Sequence, residues 1–193
     1  MTAVVGLGNP GRDYARSRHN AGRLALEAFA EGRHLRALPP HPLYKTAALR
    51  MGGREVWLVA PKTFMNESGA AVAALPGPPT GDELMLAYDD VDLPFGSLRL
   101  RRGGGDGGHR GVRDVIAALG SDDFLRLRLG IGRNAEEDTR DYVLSKFREN
   151  EEAALPEFLQ RAAGAIECFL AEGFTAAMNK FNRRVPGDSP ENQ

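Results

Sequence analysis

Cysteine is almost absent from this chain: 193 residues contain one, Cys168. No internal disulfide can form, so stability has to come from a packed core, and a chain of this length buries one. Cys168 lies in an apolar helical pattern and reads as a buried core residue in a reducing compartment. No run of roughly 18 apolar residues occurs, so no membrane-spanning helix is expected. A basic-then-apolar leader is missing ahead of the first strand pattern, which argues against secretion and for the cytoplasm. No internal repeat is visible, and no serine or cysteine sits in a recognisable nucleophile motif. The expectation is one domain over residues 1–184, ended by a flexible tail at 185–193, with nothing that demands more than a monomer.

A strong charge of one sign is missing too, since 25 Lys and Arg face 26 Asp and Glu for a net charge of −1. The balance conceals an uneven distribution. Arg99 to Arg133 holds eight arginines (99, 101, 102, 110, 113, 126, 128 and 133) against four aspartates. Such a stripe suits a polyanion such as RNA, and equally a solvated face.

Apolar strand patterns fall at Thr2–Leu7, Leu84–Asp89 and, around Gly52-Gly53, at 45–50 and 55–60. Leu98–Arg102 and Arg126–Ile131 alternate apolar and basic residues, as half-exposed strands do. Helical spacing marks 20–30, 66–75, 109–119, 141–147 and a long segment around 155–170, with Pro156 expected in or near its first turns, where the lost donor matters least. Thr175 reads as the cap of a last helix reaching about Arg183. Strands mixed with helices throughout argue an α/β domain with a mixed, twisted β-sheet flanked by helices.

Against this background a few polar residues stand out. Gly6-x-Gly8-x-x-Gly11 has the glycine spacing of a dinucleotide fingerprint, but Pro10 and a polar stretch follow where the helix should start, so it is read as a decoy. His19 can cap or face solvent, or it can take a proton near neutral pH. Asp89, Asp90 and Asp92 close an apolar strand. They are turn formers, or Asp89 holds an imidazole, or the three carboxylates take a metal. Asn9 and Asn66 bring carboxamides to strand ends, where an amide caps a helix or donates to an oxyanion. Tyr14, Phe64 and Met65 pack in the core or stack on a base. The glycine run 103–108 reads as a loop and a candidate lid.

In order along residues 2–133, these motifs resemble bacterial-type peptidyl-tRNA hydrolase. The resemblance is carried by Gly6-Leu7-Gly8-Asn9-Pro10-Gly11 with Tyr14, Arg18-His19-Asn20-Ala21-Gly22, and Thr63-Phe64-Met65-Asn66-x-Ser68-Gly69. It continues through Asp89-x-x-Asp92-Leu93-Pro94-x-Gly96, the glycine run with Gly107-Gly108-His109-x-Gly111, and Arg126-Leu127-Arg128-Leu129-Gly130-Ile131-Gly132. Several independent motifs in order are far more specific than any one.

The resemblance implies a single α/β domain and hydrolysis of the ester between a peptide and the terminal ribose of tRNA. Its partner is then peptidyl-tRNA, through acceptor end and peptide, with no metal or organic cofactor. By the same resemblance His19 is the general base, Asp89 orients it, and Asn9 and Asn66 position substrate. Tyr14, Phe64 and Met65 line the crevice, and Arg101 and Arg128 clamp phosphates. Arg110 stands where the family usually has an asparagine, and it can reach a phosphate or a carbonyl but cannot accept a hydrogen bond as an amide does. Two other expectations stay open: a non-catalytic RNA-binding protein on the same fold, and a metal-dependent hydrolase built on Asp89, Asp90 and Asp92.

Overall fold

In the computed structural model, residues 1–182 are described; the expected tail at 185–193 lies outside them, as do residues 183 and 184 of the expected domain. Seven strands form one mixed sheet in the order β2-β3-β4-β1-β5-β7-β6. They are β1 (Thr2–Gly6), β2 (Arg36–Ala37), β3 (Tyr44–Met51), β4 (Arg54–Pro61), β5 (Gly81–Asp90), β6 (Leu98–Arg102) and β7 (Phe124–Gly130). The inner strands β4, β1, β5 and β7 run parallel, and antiparallel strands close both sides. All five residues of β1 are buried, as an unbroken apolar run covered on both faces should be.

Helices cover both faces, and the alternation of side chains along β1 and β5 divides the core in two. Val4, Met85 and Ala87 face α1 (Ala21–Ala30) and α5 (Glu149–Glu172), packing with Phe29, Phe158 and Ile166. Ala3, Val5 and Leu86 face α2 (Ser68–Ala73) and α3 (Arg110–Leu119), packing with Val72, Val112 and Val115. A short α4 (Thr139–Leu144) and a last α6 (Phe174–Phe181) complete the domain. Cys168 is buried on the α5 face, as its pattern implies.

Several expectations need correcting. β7 alternates in sequence yet is buried on both faces, because it lies between β5 and β6 and Arg126 turns back to bind backbone. Pro156 sits two turns inside α5, on its exposed side, so the Glu152 carbonyl that loses its helical partner lies toward solvent. The segment at 66–75 begins as a 3-10 turn, Met65–Glu67, and becomes α-helical only at Ser68. Gly173, not Thr175, caps α6.

α1 lies directly on β5 because Gly22 has no side chain. A methyl group there would lie far inside van der Waals contact with the Ala87 carbonyl oxygen. Gly22→Ala is therefore expected to destabilise the domain by about 3 kcal/mol, the upper part of the usual overpacking range. A thermal melt checks this, and a melting temperature equal to the parent's would show that α1 can shift off the sheet.

Candidate active site

The carboxyl ends of β1 and β5 lie side by side, with β4 paired on the other side of β1, the place where open α/β sheets form a crevice. A crevice of about 840 Å³ opens there. The turn after β1 carries Asn9 and leads to a 3-10 turn, Arg18–Asn20, that presents His19. The turn is locked from both sides. Asn20 accepts the Asn9 backbone N–H at 2.8 Å and donates to the Asn9 carbonyl at 3.0 Å.

Arg18 fastens the other side of the turn. Only 1% exposed, it pairs with Glu151 at 2.7 Å and lies over the Tyr142 and Phe147 rings. Its backbone N–H donates to Ser145. The turn that carries His19 is thereby fixed to the segment after α4, and residues of α4 form the far wall of the crevice.

Asp89, at the end of β5, is fully buried between two imidazoles. His19 Nδ1 lies 2.9 and 3.0 Å from its two oxygens, and His109 Nε2 lies 3.0 Å from Oδ1. The Val112 backbone N–H donates to His109 Nδ1, which makes that nitrogen an acceptor and leaves the proton on Nε2, aimed at Asp89. With Asp89 ionised, His19 carries its proton on Nδ1, and its Nε2 is free at the crevice wall. Burial opposes the charge on Asp89, but the electrostatic pull and the hydrogen bonds of the two imidazoles outweigh it and hold the carboxyl well below the usual range. Burial likewise disfavours a charged His19; the charge and hydrogen bond of Asp89 prevail over it and over the opposing charge of Arg110, so its proton affinity is raised.

His109 is the site residue that the sequence reading quoted in a motif but gave no role. His19, Asp89 and His109 are also the cluster that could hold a metal among the described residues, their ligating atoms lying within 4.8 Å of one another. Those atoms are the ones already hydrogen-bonded together, and Val112 holds His109 in the tautomer that donates. Hydrogen bonding therefore accounts for the cluster without a cation. The three acids Asp89, Asp90 and Asp92 do not converge. Asp90 pairs with Arg128 and Asp92 with Arg133, which overturns a metal site built on that trio.

Every other expected site residue lines the same crevice. Asn9 Oδ1 accepts the Met65 N–H at 2.8 Å, leaving its amide NH2 for a ligand. The Asn66 side chain is exposed. Phe64 is 52% exposed with Tyr14 against its edge, the centroids 6.4 Å apart. Met65 is part of the core and reaches only the floor. Arg101, Arg110 and Arg128 all face in, but the expected basic stripe breaks up. Arg102 turns away to Asp82 and Asp123, and Arg126 is buried.

Arg126 also decides what the glycine run does. Its guanidinium donates to the carbonyls of Gly104 and Gly105, and Asp122 accepts the Gly104 N–H at 3.2 Å. Asp106 accepts the Gly108 N–H and pairs with Arg113. The loop that walls the crevice is tied down at several points.

The sequence profile described as peptidyl-tRNA hydrolase matches residues 3–189. A peptidyl-tRNA hydrolase of Chloroflexus aggregans is 48% identical over 186 residues, covering 94% of this chain and 99% of that one. The protein of that name from Nocardia farcinica is 42% identical over 189 residues, with 93% and 95% covered. The crystal structure of peptidyl-tRNA hydrolase from Acinetobacter baumannii superposes with a TM-score of 0.87 at 33% identity, over 97% of each chain.

Proposed function

The chain belongs to the bacterial-type peptidyl-tRNA hydrolase family, and on that premise we propose that it cleaves the ester between a peptide and the terminal ribose of tRNA with a water activated at His19. One observation carries the assignment of the base: Asp89 takes the Nδ1 proton side of His19 and leaves Nε2 open to the crevice. Nε2 removes a proton from water as its oxygen attacks the ester carbonyl. Asp89, held in turn by His109, stabilises the imidazolium. The Asn66 amide donates to the oxyanion of the tetrahedral intermediate, a contact of a kind worth on the order of 10²–10³ in rate. The ester C–O bond then breaks, the imidazolium returns its proton to the ribose oxygen, and the tRNA leaves with the peptide acid, which gives up its remaining proton to solvent as the carboxylate.

The rest of the crevice divides the substrate between two ends. The free amide NH2 of Asn9 meets the peptide or the ribose, and the exposed Tyr14–Phe64 pair offers an apolar face to a base. Arg101 and Arg128 take phosphates, which adds affinity without reading sequence. Arg101 has no acidic partner among the described residues, whereas Arg128 is already steered by Asp90. We read the enzyme as a monomer, and a substrate made at the ribosome supports a cytoplasmic enzyme.

The test is release of tRNA from an N-acetylated aminoacyl-tRNA by the intact protein. Binding without cleavage would replace the hydrolase by the non-catalytic RNA-binding reading. For the phosphate contacts, Arg101→Ala with Arg128→Ala is expected to raise KM about tenfold with less effect on kcat. The log–log salt slope should flatten by about one to two, since each contact contributes just under one. An unchanged slope would remove the clamp.

A further inference from the structure

Four carboxylates line the crevice, and each is already engaged. Asp89 accepts from both histidines, Asp90 is paired with Arg128, and Asp106 with Arg113. Asp138 caps α4 by accepting the Arg140 backbone N–H at 2.8 Å. The guanidinium groups of Arg101, Arg110 and Arg140 also line the crevice, with no hydrogen bond or ion pair among the described residues. Arg101, Arg110 and Arg140 are thus cations left without a partner among the described residues, while Asp138 is held there by a backbone N–H alone. Arg110 is the member beside the reacting position. It opens α3 directly after His109, whose ring touches Asp89, and its charge acts on His19.

We propose that Arg110 is a specificity-determining residue, whose guanidinium repels a protonated α-amine next to the scissile ester. The proposal rests on the hydrolase reading above. In a free aminoacyl ester the ammonium nitrogen is one carbon away from the carbonyl that His19 serves. It would meet the unpaired cation of Arg110, while the carboxylate at the reacting position, Asp89, has its oxygens occupied by the two imidazoles. When that nitrogen is acylated the charge is gone, and the same crevice accepts the substrate. Selectivity then comes from a repulsive element as well as an attractive one. Two unit charges about 7 Å apart, at an effective dielectric of about 20–40, change a rate about tenfold.

The test compares kcat/KM for an N-acetylated aminoacyl-tRNA and the same unblocked aminoacyl-tRNA, below and above the titration of an α-amine near pH ~7.8. The ratio cancels any change in His19, because both substrates use the same base. At the lower pH, Arg110→Asn is expected to reduce the preference for the blocked substrate about tenfold, while Arg110→Lys keeps it. The parent's preference should shrink as pH rises and the amine loses its charge. An unchanged ratio in Arg110→Asn, or an equal loss on both substrates, overturns the proposal and makes Arg110 an ordinary substrate contact. A parent protein that cleaves neither substrate overturns the hydrolase reading, and this inference with it.

Discussion

Replacing His19 by asparagine is expected to lower kcat by about 10³-fold with little change in KM, within the usual range for a positioned general base. Asparagine is the informative choice because its amide NH2 can still donate to Asp89, as His19 Nδ1 does at 2.9 Å. The buried carboxylate keeps a partner, so a loss of rate reports the missing base and not a collapsed site. Substrate held by phosphates and amides elsewhere in the crevice should bind much as before. Steady-state kinetics with a thermal melt as control decide the matter. A well-folded variant within tenfold of the parent would remove His19 from the chemistry.

Asp89→Asn is expected to cost about as much, on the order of 10³-fold in kcat, for a different reason. His109 must present an N–H to residue 89, because Val112 holds its other nitrogen as an acceptor. An amide offers one acceptor and two donors in place of two acceptors. With its oxygen taken by His109, its NH2 faces His19 Nδ1 and drives the proton of His19 to Nε2, the atom that has to receive one. The pH profile separates this from simple loss of structure. In the parent, proton affinity at His19 is raised above the ordinary imidazole value, so activity falls as pH drops through a point above about 6.5. Without the carboxylate only burial and Arg110 act on His19, and both lower its proton affinity. The residual activity should therefore persist to lower pH than the parent's. An acid limb that stays in place would show that Asp89 does not set the state of His19.

Much of the framework was legible in the chain because its signals are local. The apolar run of β1, the glycine pair that turns β3 into β4, and the 3.6-residue spacing of α1 and α5 each depend on residues a few positions apart. β7 failed the same test. Its alternation was correct as a pattern, but Arg126 is buried because it has backbone carbonyls to bind, and no period in the sequence reports that. Pro156 lies deep enough in α5 to cost a helical hydrogen bond, and the helix tolerates it because the freed carbonyl is on the exposed side.

The sequence alone determined the α/β class, the helices and strands of the core, and the set of polar residues that stand at strand ends. It could do so because hydrophobic period and turn chemistry act over short stretches of chain. Which of those residues meet was decided by the tertiary structure. Asp89 and His109 are separated by 20 residues, and His19 by 70 from Asp89. Only the parallel pairing of β1 with β5, and the packing of α3 on the face that holds Val5 and Leu86, brings two imidazoles to one buried carboxylate. The tautomer that leaves His19 Nε2 open follows from that junction. So does the sorting of the arginines into those paired with acids, those bound to backbone and those left free, because ion pairing depends on distances in space that spacing along the chain does not encode.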